Sequence, residues 1–309
     1  MTDSTLGNTP SIFFQLPKSH VASFFAGCVA GACGVTVGHP FDSLKVRLQV
    51  GEELVYEKVN WYVIKQLYRG IVPPLLTVGT LQAINFSNYE LFKREIPKYL
   101  YAEYDEEFHP KNVDLTTVFL AGVGSGFVMS TITTPLNIIK IRMQVASEAG
   151  VWSCFRDVYK MGPKTFYRGY GSAFITEAPG RGVYLWVYEY TKLLLVRYKY
   201  PDYQHVPNRI VMQTEYVDIY TRIISAASAG ILSWLSVYPL DVIKSKVQLD
   251  IAGVKYKNSW DCILKTWKAE GFLGFFRGLS YTLIRAGPVS ATILPTYDLT
   301  KEYFEKHIW

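Results

Sequence analysis

The sequence carries the same charged motif three times, at intervals of roughly one hundred residues. In each copy a proline ends an apolar stretch and is followed by an acid or amide, two bases and a glutamine. The copies are Pro40, Asp42, Lys45, Arg47 and Gln49; Pro135, Asn137, Lys140, Arg142 and Gln144; and Pro239, Asp241, Lys244, Lys246 and Gln248. The interval from proline to glutamine is nine residues each time. Such internal repetition constrains the architecture more than any local pattern, and it predicts three copies of one structural unit.

Long apolar stretches precede the proline motifs and indicate membrane-spanning helices. Residues 115–139 contain no charged residue, which is enough for a helix to cross a hydrocarbon layer of about 30 Å. Residues 21–38 and 223–240 are shorter charge-free stretches at equivalent places, and residues 70–89 follow an aromatic-basic-glycine triplet that also recurs in each copy. Two helices per copy predict six spans. The predicted units are residues 18–100, 113–200 and 219–305.

Composition and charge agree with a helical membrane protein. The 23 tyrosines, 17 phenylalanines and seven tryptophans fit aromatic belts at the membrane surfaces. The net charge of +6 is spread through all three copies, as in basic loops beside an anionic membrane, and lacks the clustered face that nucleic-acid binding needs. The four cysteines show no metal-ligand spacing, so we predict no metal and no cofactor. Residues 1–15 lack arginine, so we expect any import signal to lie within the mature chain.

Small and amphipathic patterns refine the predicted packing. Small residues recur at i, i+4 spacing, which lets neighbouring helices approach closely; the pairs are Gly27 with Gly31, Gly34 with Gly38, Gly122 with Gly126, and Ala226 with Gly230. In the third copy, four apolar residues fall on one helical face: Trp260, Ile263, Leu264 and Trp267. This pattern predicts an amphipathic helix that lies in the membrane interface. Segments 101–112 and 199–218 are polar or mixed and are predicted to be loops.

A second charge motif recurs near the end of each even-numbered span. It consists of a tyrosine, an acid and a lysine, namely Tyr89, Glu90 and Lys93; Tyr188, Glu189 and Lys192; and Tyr297, Asp298 and Lys301. Each tyrosine lies nineteen residues after the glycine of its triplet. One such motif would be an ordinary helix-surface pair worth a few tenths of a kcal/mol. Three copies in phase, at the end opposite the proline motifs, indicate a second charged ring.

Over residues 18–304 the sequence resembles the mitochondrial carrier family, also called solute carrier family 25. The resemblance rests on the proline motif followed by the aromatic-basic-glycine triplet in every copy. It implies an all-α membrane protein with six transmembrane helices in three pseudo-threefold repeats around a central cavity, with short amphipathic helices on the matrix side. It further implies a multi-pass protein of the mitochondrial inner membrane that exchanges a small-molecule substrate, is no enzyme, contacts cardiolipin through its triplets and works as a monomer.

The resemblance also assigns the two charged rings to gates in which the acid of one repeat pairs with the base of the next. On the matrix side it pairs Asp42 with Lys140, Asn137 with Lys244 and Asp241 with Lys45, braced by Gln49, Gln144 and Gln248. On the cytoplasmic side it pairs Glu90 with Lys192, Glu189 with Lys301 and Asp298 with Lys93, braced by Tyr89, Tyr188 and Tyr297. Asn137 departs from the pattern because an amide cannot neutralise Lys244. We therefore expect a weaker matrix gate, unless a neighbouring loop carboxylate supplies the charge.

Three ionisable residues inside apolar spans are candidates for substrate contacts: Glu177, Arg181 and Arg285. The resemblance places the second and third contact points of the family at Thr176–Glu177 and at Arg285. It places the first on a stretch that includes Gln82 and Asn85. Two alternatives stay open here. Asn85 and Gln82 could equally be packed polar residues, and Arg181 could simply pair with Glu177.

An acid and an arginine across a cavity suit a ligand that bears both a cation and a carboxylate. Glu177, together with the run from Arg285 to Pro288, resembles the carnitine, ornithine and basic amino acid branch of the family, although Thr176 stands where that branch commonly has an arginine. The prediction is transport of basic or zwitterionic amino acids, or of carnitine-like compounds. One alternative is a carboxylate or keto-acid carrier that uses Arg181 and Arg285. Another is a non-transporting membrane scaffold, which would be expected to have eroded gates.

Overall fold

A computed structural model describes residues 18–50, 67–68, 71–100, 114–145, 151–201, 217–250 and 254–307. In these ranges the chain forms eight α-helices and no strand, so the all-helical prediction is confirmed there. The helices are α1 (Lys18–Val50), α2 (Val72–Leu100), α3 (Leu115–Val145), α4 (Val151–Lys160), α5 (Tyr170–Lys199), α6 (Ile219–Leu249), α7 (Ser259–Glu270) and α8 (Leu279–His307). Short 3₁₀ helices at Pro163–Tyr167 and Phe272–Phe276 precede α5 and α8.

The six long helices pack side by side into a closed ring. Going around the ring, α1 contacts α2, α2 contacts α3, α3 contacts α5, α5 contacts α6, and α6 contacts α8, which returns to α1. A ring of helices leaves a space along its axis, and that space is where polar side chains can lie away from lipid. The short helices α4 and α7 lie outside this ring order, each against the long helix that precedes it.

Small residues let the two long helices of each hairpin touch through their backbones. A Cβ added at Gly126 would lie 2.5 Å from the Ala178 Cα, and one at Gly122 would lie 2.8 Å from the Gly182 Cα. Gly27 meets the backbone of α2 in the same way, and Gly230 meets that of α8. Gly34 and Gly38 instead face side chains of α8, so this predicted pair packs across the seam between the first and third units.

The glycines that end the second and third triplets have a conformational reason. Gly169 and Gly278 take φ of 73° and 87°, the left-handed region that favours glycine, directly before α5 and α8 begin. The arginine before Gly169 is also structural, because Arg168 Nε donates to the Asp250 carbonyl at 2.7 Å and Nη2 donates to the Tyr256 carbonyl at 2.8 Å. The triplet of the second unit therefore holds the loop that follows α6 in the third unit.

Three described helices are long and apolar enough to cross a membrane: Val21–Phe41, Leu115–Ile139 and Ile219–Gln248. These belong to α1, α3 and α6. The stretch predicted at residues 70–89 falls mostly in α2, which does not reach this hydropathy, and neither do α5 and α8. The physical reason is that these helices carry the polar and charged residues of the cavity and of the tyrosine motifs. Hydropathy averages over the whole helix, whereas only its outer face has to be apolar.

The helix predicted around Trp260–Trp267 is present as α7. Trp260, Leu264 and Trp267 leave 67%, 45% and 57% of their surface exposed, on the helix face away from the ring. In α4, Trp152 and Tyr159 are likewise exposed. Exposed aromatic residues are typical of helices at the boundary between lipid and water. Of the predicted loops, 101–112 and most of 199–218 lie outside the described residues.

Candidate functional site

A cavity of about 390 Å³ lies inside the helix ring. All six predicted substrate contacts line it, and they come from three helices: Gln82, Asn85, Thr176, Glu177, Arg181 and Arg285. Lys244 and Asp241 of the third proline motif line the same space, with Trp234, Tyr184 and Ser290. The volume falls in the range of about 300–1,000 Å³ that small-molecule sites occupy.

Glu177 is the centre of the charges in this cavity. Its Oε1 accepts a hydrogen bond from Lys244 Nζ at 2.7 Å, and the Thr133 hydroxyl lies 3.1 Å from each of its two carboxylate oxygens. The side chains of Glu177 and Lys244 are only 14% and 12% exposed. This carboxylate is therefore held by groups from α3 and α6 as well as its own helix.

The two arginines of the cavity differ in their relation to Glu177. Arg181 lies one turn along α5, and its Nη2 is 4.0 Å from Glu177 Oε2, at the outer limit of an ion pair. The alternative in which Arg181 pairs with Glu177 thus holds as a weak contact beside the shorter one from Lys244. Arg285 reaches the cavity from α8, on the other side of α6, and is partly buried. A guanidinium there offers a planar fork to a carboxylate.

The uncharged polar residues of the cavity have packing partners. The Ser125 hydroxyl lies 3.0 Å from Asn85 Oδ1 and 2.8 Å from the Asn85 carbonyl oxygen, and it joins α3 to α2. The Asn85 amide donates to Gln82 Oε1 at 3.4 Å, and the Thr176 hydroxyl donates to the Ser172 carbonyl at 2.7 Å. Asn85 and Thr176 are 7% and 5% exposed, so both are packed polar residues at the wall of the cavity.

The tyrosine motifs meet in one layer at the opposite end from the proline motifs, and their ion pairs run in the reverse sense from the prediction. Lys301 Nζ lies 2.7 Å from Glu90, and Lys192 Nζ lies 3.7 Å from Asp298 and 2.9 Å from Glu189 on its own helix. The predicted pairs are Glu90 with Lys192, Glu189 with Lys301, and Asp298 with Lys93, whereas Asp298 contacts Lys192 and Arg222. In the structure, the lysine of one unit reaches the acid of the next unit instead. Which neighbouring helix a side chain reaches depends on how the helices are tilted and rotated. The spacing of a motif does not determine this.

The tyrosines of these motifs support the lysines. Each lysine ammonium lies over the tyrosine ring of its own motif, at 5.6 Å for Lys93, 4.3 Å for Lys192 and 6.0 Å for Lys301. Such cation–π contacts stabilise the ammonium. The Tyr188 hydroxyl also donates to Asp298. Beneath the charged layer, the three tyrosines belong to an apolar cluster that closes this end of the cavity, together with Phe86, Val118, Leu185 and Leu294.

Arg222, near the start of α6, is a member of this layer that the motifs do not contain. Its side chain is 4% exposed, and its guanidinium lies 3.7 Å from Asp298 and 3.3 Å from Glu302. The rule that flags ionisable residues in apolar spans could have found it. The charge-free stretch of this helix begins one residue later, at residue 223, so Arg222 falls just outside it.

At the proline-motif end, the predicted pair of Asn137 and Lys244 is corrected by the structure. Lys244 pairs with Glu177, because a carboxylate neutralises the ammonium whereas the Asn137 amide only offers a dipole. Gln248 is 3% exposed and packed. Asp241 lines the cavity, and its predicted partner Lys45 lies outside the described side chains. The same holds for four further side chains predicted for this gate: Asp42, Gln49, Lys140 and Gln144.

A closed ring of long helices with a charged cavity inside and an ion-paired layer at one end defines a helical membrane carrier. The chain belongs to the mitochondrial carrier family, whose sequence profile, described as mitochondrial carrier protein, matches residues 16–100, 111–199 and 216–308. The predicted family is thereby confirmed, and the chain is a membrane protein of the mitochondrion. Proteins of this family are carriers rather than enzymes.

Several curated relatives match nearly the whole chain. The mitochondrial basic amino acids transporter of Bos taurus is 32% identical over 91% of this chain and 91% of its own length. The glutamate/glycine mitochondrial carrier ymc1 of Schizosaccharomyces pombe is 29% identical over 91% of this chain and 93% of its own. The mitochondrial arginine transporter BAC2 of Arabidopsis thaliana is 28% identical over 89% of each chain.

Proposed function

We propose that this protein carries basic or zwitterionic amino acids across the mitochondrial inner membrane, by exchange and alternating access. The observation that carries the proposal is that Glu177 and Arg285 line one cavity of about 390 Å³. A carboxylate accepts an ammonium or guanidinium group, and the Arg285 fork binds the α-carboxylate. Two of the relatives described above have names that specify basic amino acids or arginine, which supports the same substrate class.

The proposed architecture has six transmembrane helices, α1, α2, α3, α5, α6 and α8, in three repeated hairpins around the cavity. The closed ring of helices and the polar cavity support it. In this scheme the tyrosine-motif layer is the cytoplasmic gate, and the proline-motif residues form the matrix gate. Breaking one gate while the other forms would move access from one side to the other. We further propose a monomer with cardiolipin at the triplet loops.

Uptake into liposomes that contain the purified protein tests the function. The screen compares L-arginine, L-lysine, L-ornithine, carnitine, dicarboxylates and nucleotides, each with and without internal counter-substrate. We expect uptake of basic amino acids, stimulated by internal basic amino acid. Glu177→Gln should abolish it, whereas Glu95→Gln, which removes an exposed carboxylate from α2, should leave it near the wild-type rate.

The second candidate is a carrier of substrates without a basic side chain, namely carboxylates such as glutamate or keto acids. The specific observation in its favour is that Arg181 and Arg285 both line the cavity. In that case glutamate or a keto acid would be taken up, and loss of either arginine would reduce uptake more than loss of Glu177. A preparation that moves none of the screened compounds would favour a membrane scaffold and contradict both transport proposals.

A further inference from the structure

The third proline motif has a base whose usual partner is missing. The first and third motifs carry Asp42 and Asp241, but the second carries Asn137 at the same position. Because Asn137 is an amide, the three proline motifs supply only two carboxylates at this position. An unpaired ammonium at the 12% exposure of Lys244 would be strongly unfavourable, so another group has to neutralise it.

The carboxylate of Glu177 lies beside the position that an acid at residue 137 would occupy. Thr133 and Asn137 are four residues apart on α3 and therefore lie on successive turns of one helix face. The Thr133 hydroxyl is within 3.1 Å of both carboxylate oxygens of Glu177, which brings the carboxylate against that face. From the other side, Lys244 Nζ reaches the same carboxylate at 2.7 Å.

We infer that Glu177 supplies the missing acid of the proline-motif ring, and that a substrate cation and Lys244 compete for this one carboxylate. The pair joins α5 to α6, the helices at the seam between the second and third units. The ion pair between Glu177 and Lys244 thus links the second and third units. Asn137 cannot form such an ion pair because its amide carries no charge. The competition rests on the proposed function, whereas the pairing does not.

The local charges explain why the two cations exclude each other. Lys244 and Arg181 already place two positive groups within 4.0 Å of one negative group. A third cation in the same partly buried space would be repelled unless one of them leaves. Lys244 is the one whose departure has a structural effect, because it belongs to a different helix from Glu177. Binding of a cationic substrate would therefore release the seam between α5 and α6.

Thermal stability of the purified protein tests the pairing. Glu177→Gln leaves Lys244 and Arg181 without their carboxylate, and we expect the Tm to fall by about 5 °C or more. Adding Asn137→Asp to Glu177→Gln gives Lys244 a new partner and should restore most of that Tm. The matched control, Asn137→Ala with Glu177→Gln, should restore none. A double variant that is no more stable than Glu177→Gln alone would overturn the inference.

Arginine transport tests the competition. Asn137→Asp alone draws Lys244 away from Glu177, so the KM for L-arginine should fall by about fivefold or more. The same substitution in the Glu177→Gln background should not restore arginine uptake, because the carboxylate for the cation is then absent. An unchanged KM in Asn137→Asp would contradict the competition. If the wild-type protein moves no basic amino acid, the proposed function fails, and the Tm rescue still decides whether Glu177 and Lys244 form the pair.

Discussion

The rings of Phe86 and Tyr297 stack directly on each other, with centroids 3.8 Å apart and planes 14° from parallel. Phe86 belongs to α2 and Tyr297 to α8, so the stack joins helices that do not contact each other in the ring order. It lies beneath the ion pair between Glu90 and Lys301 on the same two helices. An apolar contact and a charged contact therefore close the same gap, one above the other.

Truncating the stack should loosen this closed end. Phe86 is 1% exposed, so Phe86→Ala removes a fully buried ring at a cost of about 3–5 kcal/mol. We expect a lower Tm and faster labelling of a cysteine introduced in the cavity by a reagent added from the cytoplasmic side. Phe127→Ala serves as the control because Phe127 is 50% exposed on α3. Equal labelling of both variants would mean that the stack does not help to close the cavity.

Arg168 and Arg277 occupy equivalent places in two triplets but should differ in their contribution to stability. Arg168→Gln loses two hydrogen bonds from a charged group to the carbonyls of Asp250 and Tyr256, which predicts a loss of about 2–4 kcal/mol. Arg277 is 84% exposed, so Arg277→Gln should change stability little. Thermal unfolding in detergent measures both. A larger loss for Arg277→Gln would contradict a structural role for the Arg168 contacts.

Two glycines test the close approach of the hairpin helices. A methyl group at Gly126 would lie 2.5 Å from the Ala178 Cα, and backbone atoms cannot move aside as a flexible side chain can. Gly126→Ala should therefore lower the yield of folded protein and its Tm. Gly171 in α5 has nothing within 4 Å of an added Cβ, and alanine is the better helix former by about 0.5–1 kcal/mol. Gly171→Ala is accordingly expected to be neutral or stabilising.

The start of α6 should show a specific pH dependence. A hydrogen bond from Lys199, with others from Thr221, lowers the pKa of the Asp218 carboxyl from 3.8 to about 2. Because the pKa in the folded state is the lower one, the stabilisation is complete above about pH 4 and is lost as the pH falls through 2. Asp218→Asn keeps an N-cap residue but removes this charge.

The Tm difference between wild type and Asp218→Asn should consequently stay constant from about pH 7 to 5 and shrink below about pH 4. Lys199→Met removes the cation that is 2.7 Å from Asp218 and should flatten the same profile. A difference that keeps growing as the pH falls would have the wrong sign for a lowered pKa.

The sequence predicts the position of each site residue along the helix axis better than it predicts which residue it pairs with. A repeated motif and the regular rise of a helix place Glu177 and Arg285 at nearly one level and Arg181 one turn away, and the structure brings all three to one cavity. Motif spacing does not determine which neighbouring unit a lysine reaches, and the pairs of the tyrosine-motif layer run in the reverse sense from the prediction. The partner of Lys244 was missed for a related reason. Its carboxylate, that of Glu177, comes from another unit and lies outside both charge motifs, so no motif spacing connects the two residues.

Helix counts show a second limit of sequence analysis. The repeats indicate six long helices, but hydropathy alone recognises three of them among the described residues. The helices that it passes over, α2, α5 and α8, carry the tyrosine motifs and the predicted substrate contacts, whereas Asp241 and Lys244 of α6 follow its apolar stretch. Neither charge motif contains a counterpart of Arg222. It lies in the first turn of α6, one residue before the charge-free stretch begins, so the sequence patterns do not single it out.

Arg222 makes the closed end unequal around its circumference. Asp298 is contacted by Lys192 from the second unit and by Arg222 from its own unit, and Arg222 also reaches Glu302. Because both Arg222 contacts lie within the third hairpin, they hold α6 to α8, and we expect these two helices to move as one body when this end opens. A transport path built from three similar repeats would then open asymmetrically, and a passing solute would enter away from the central axis.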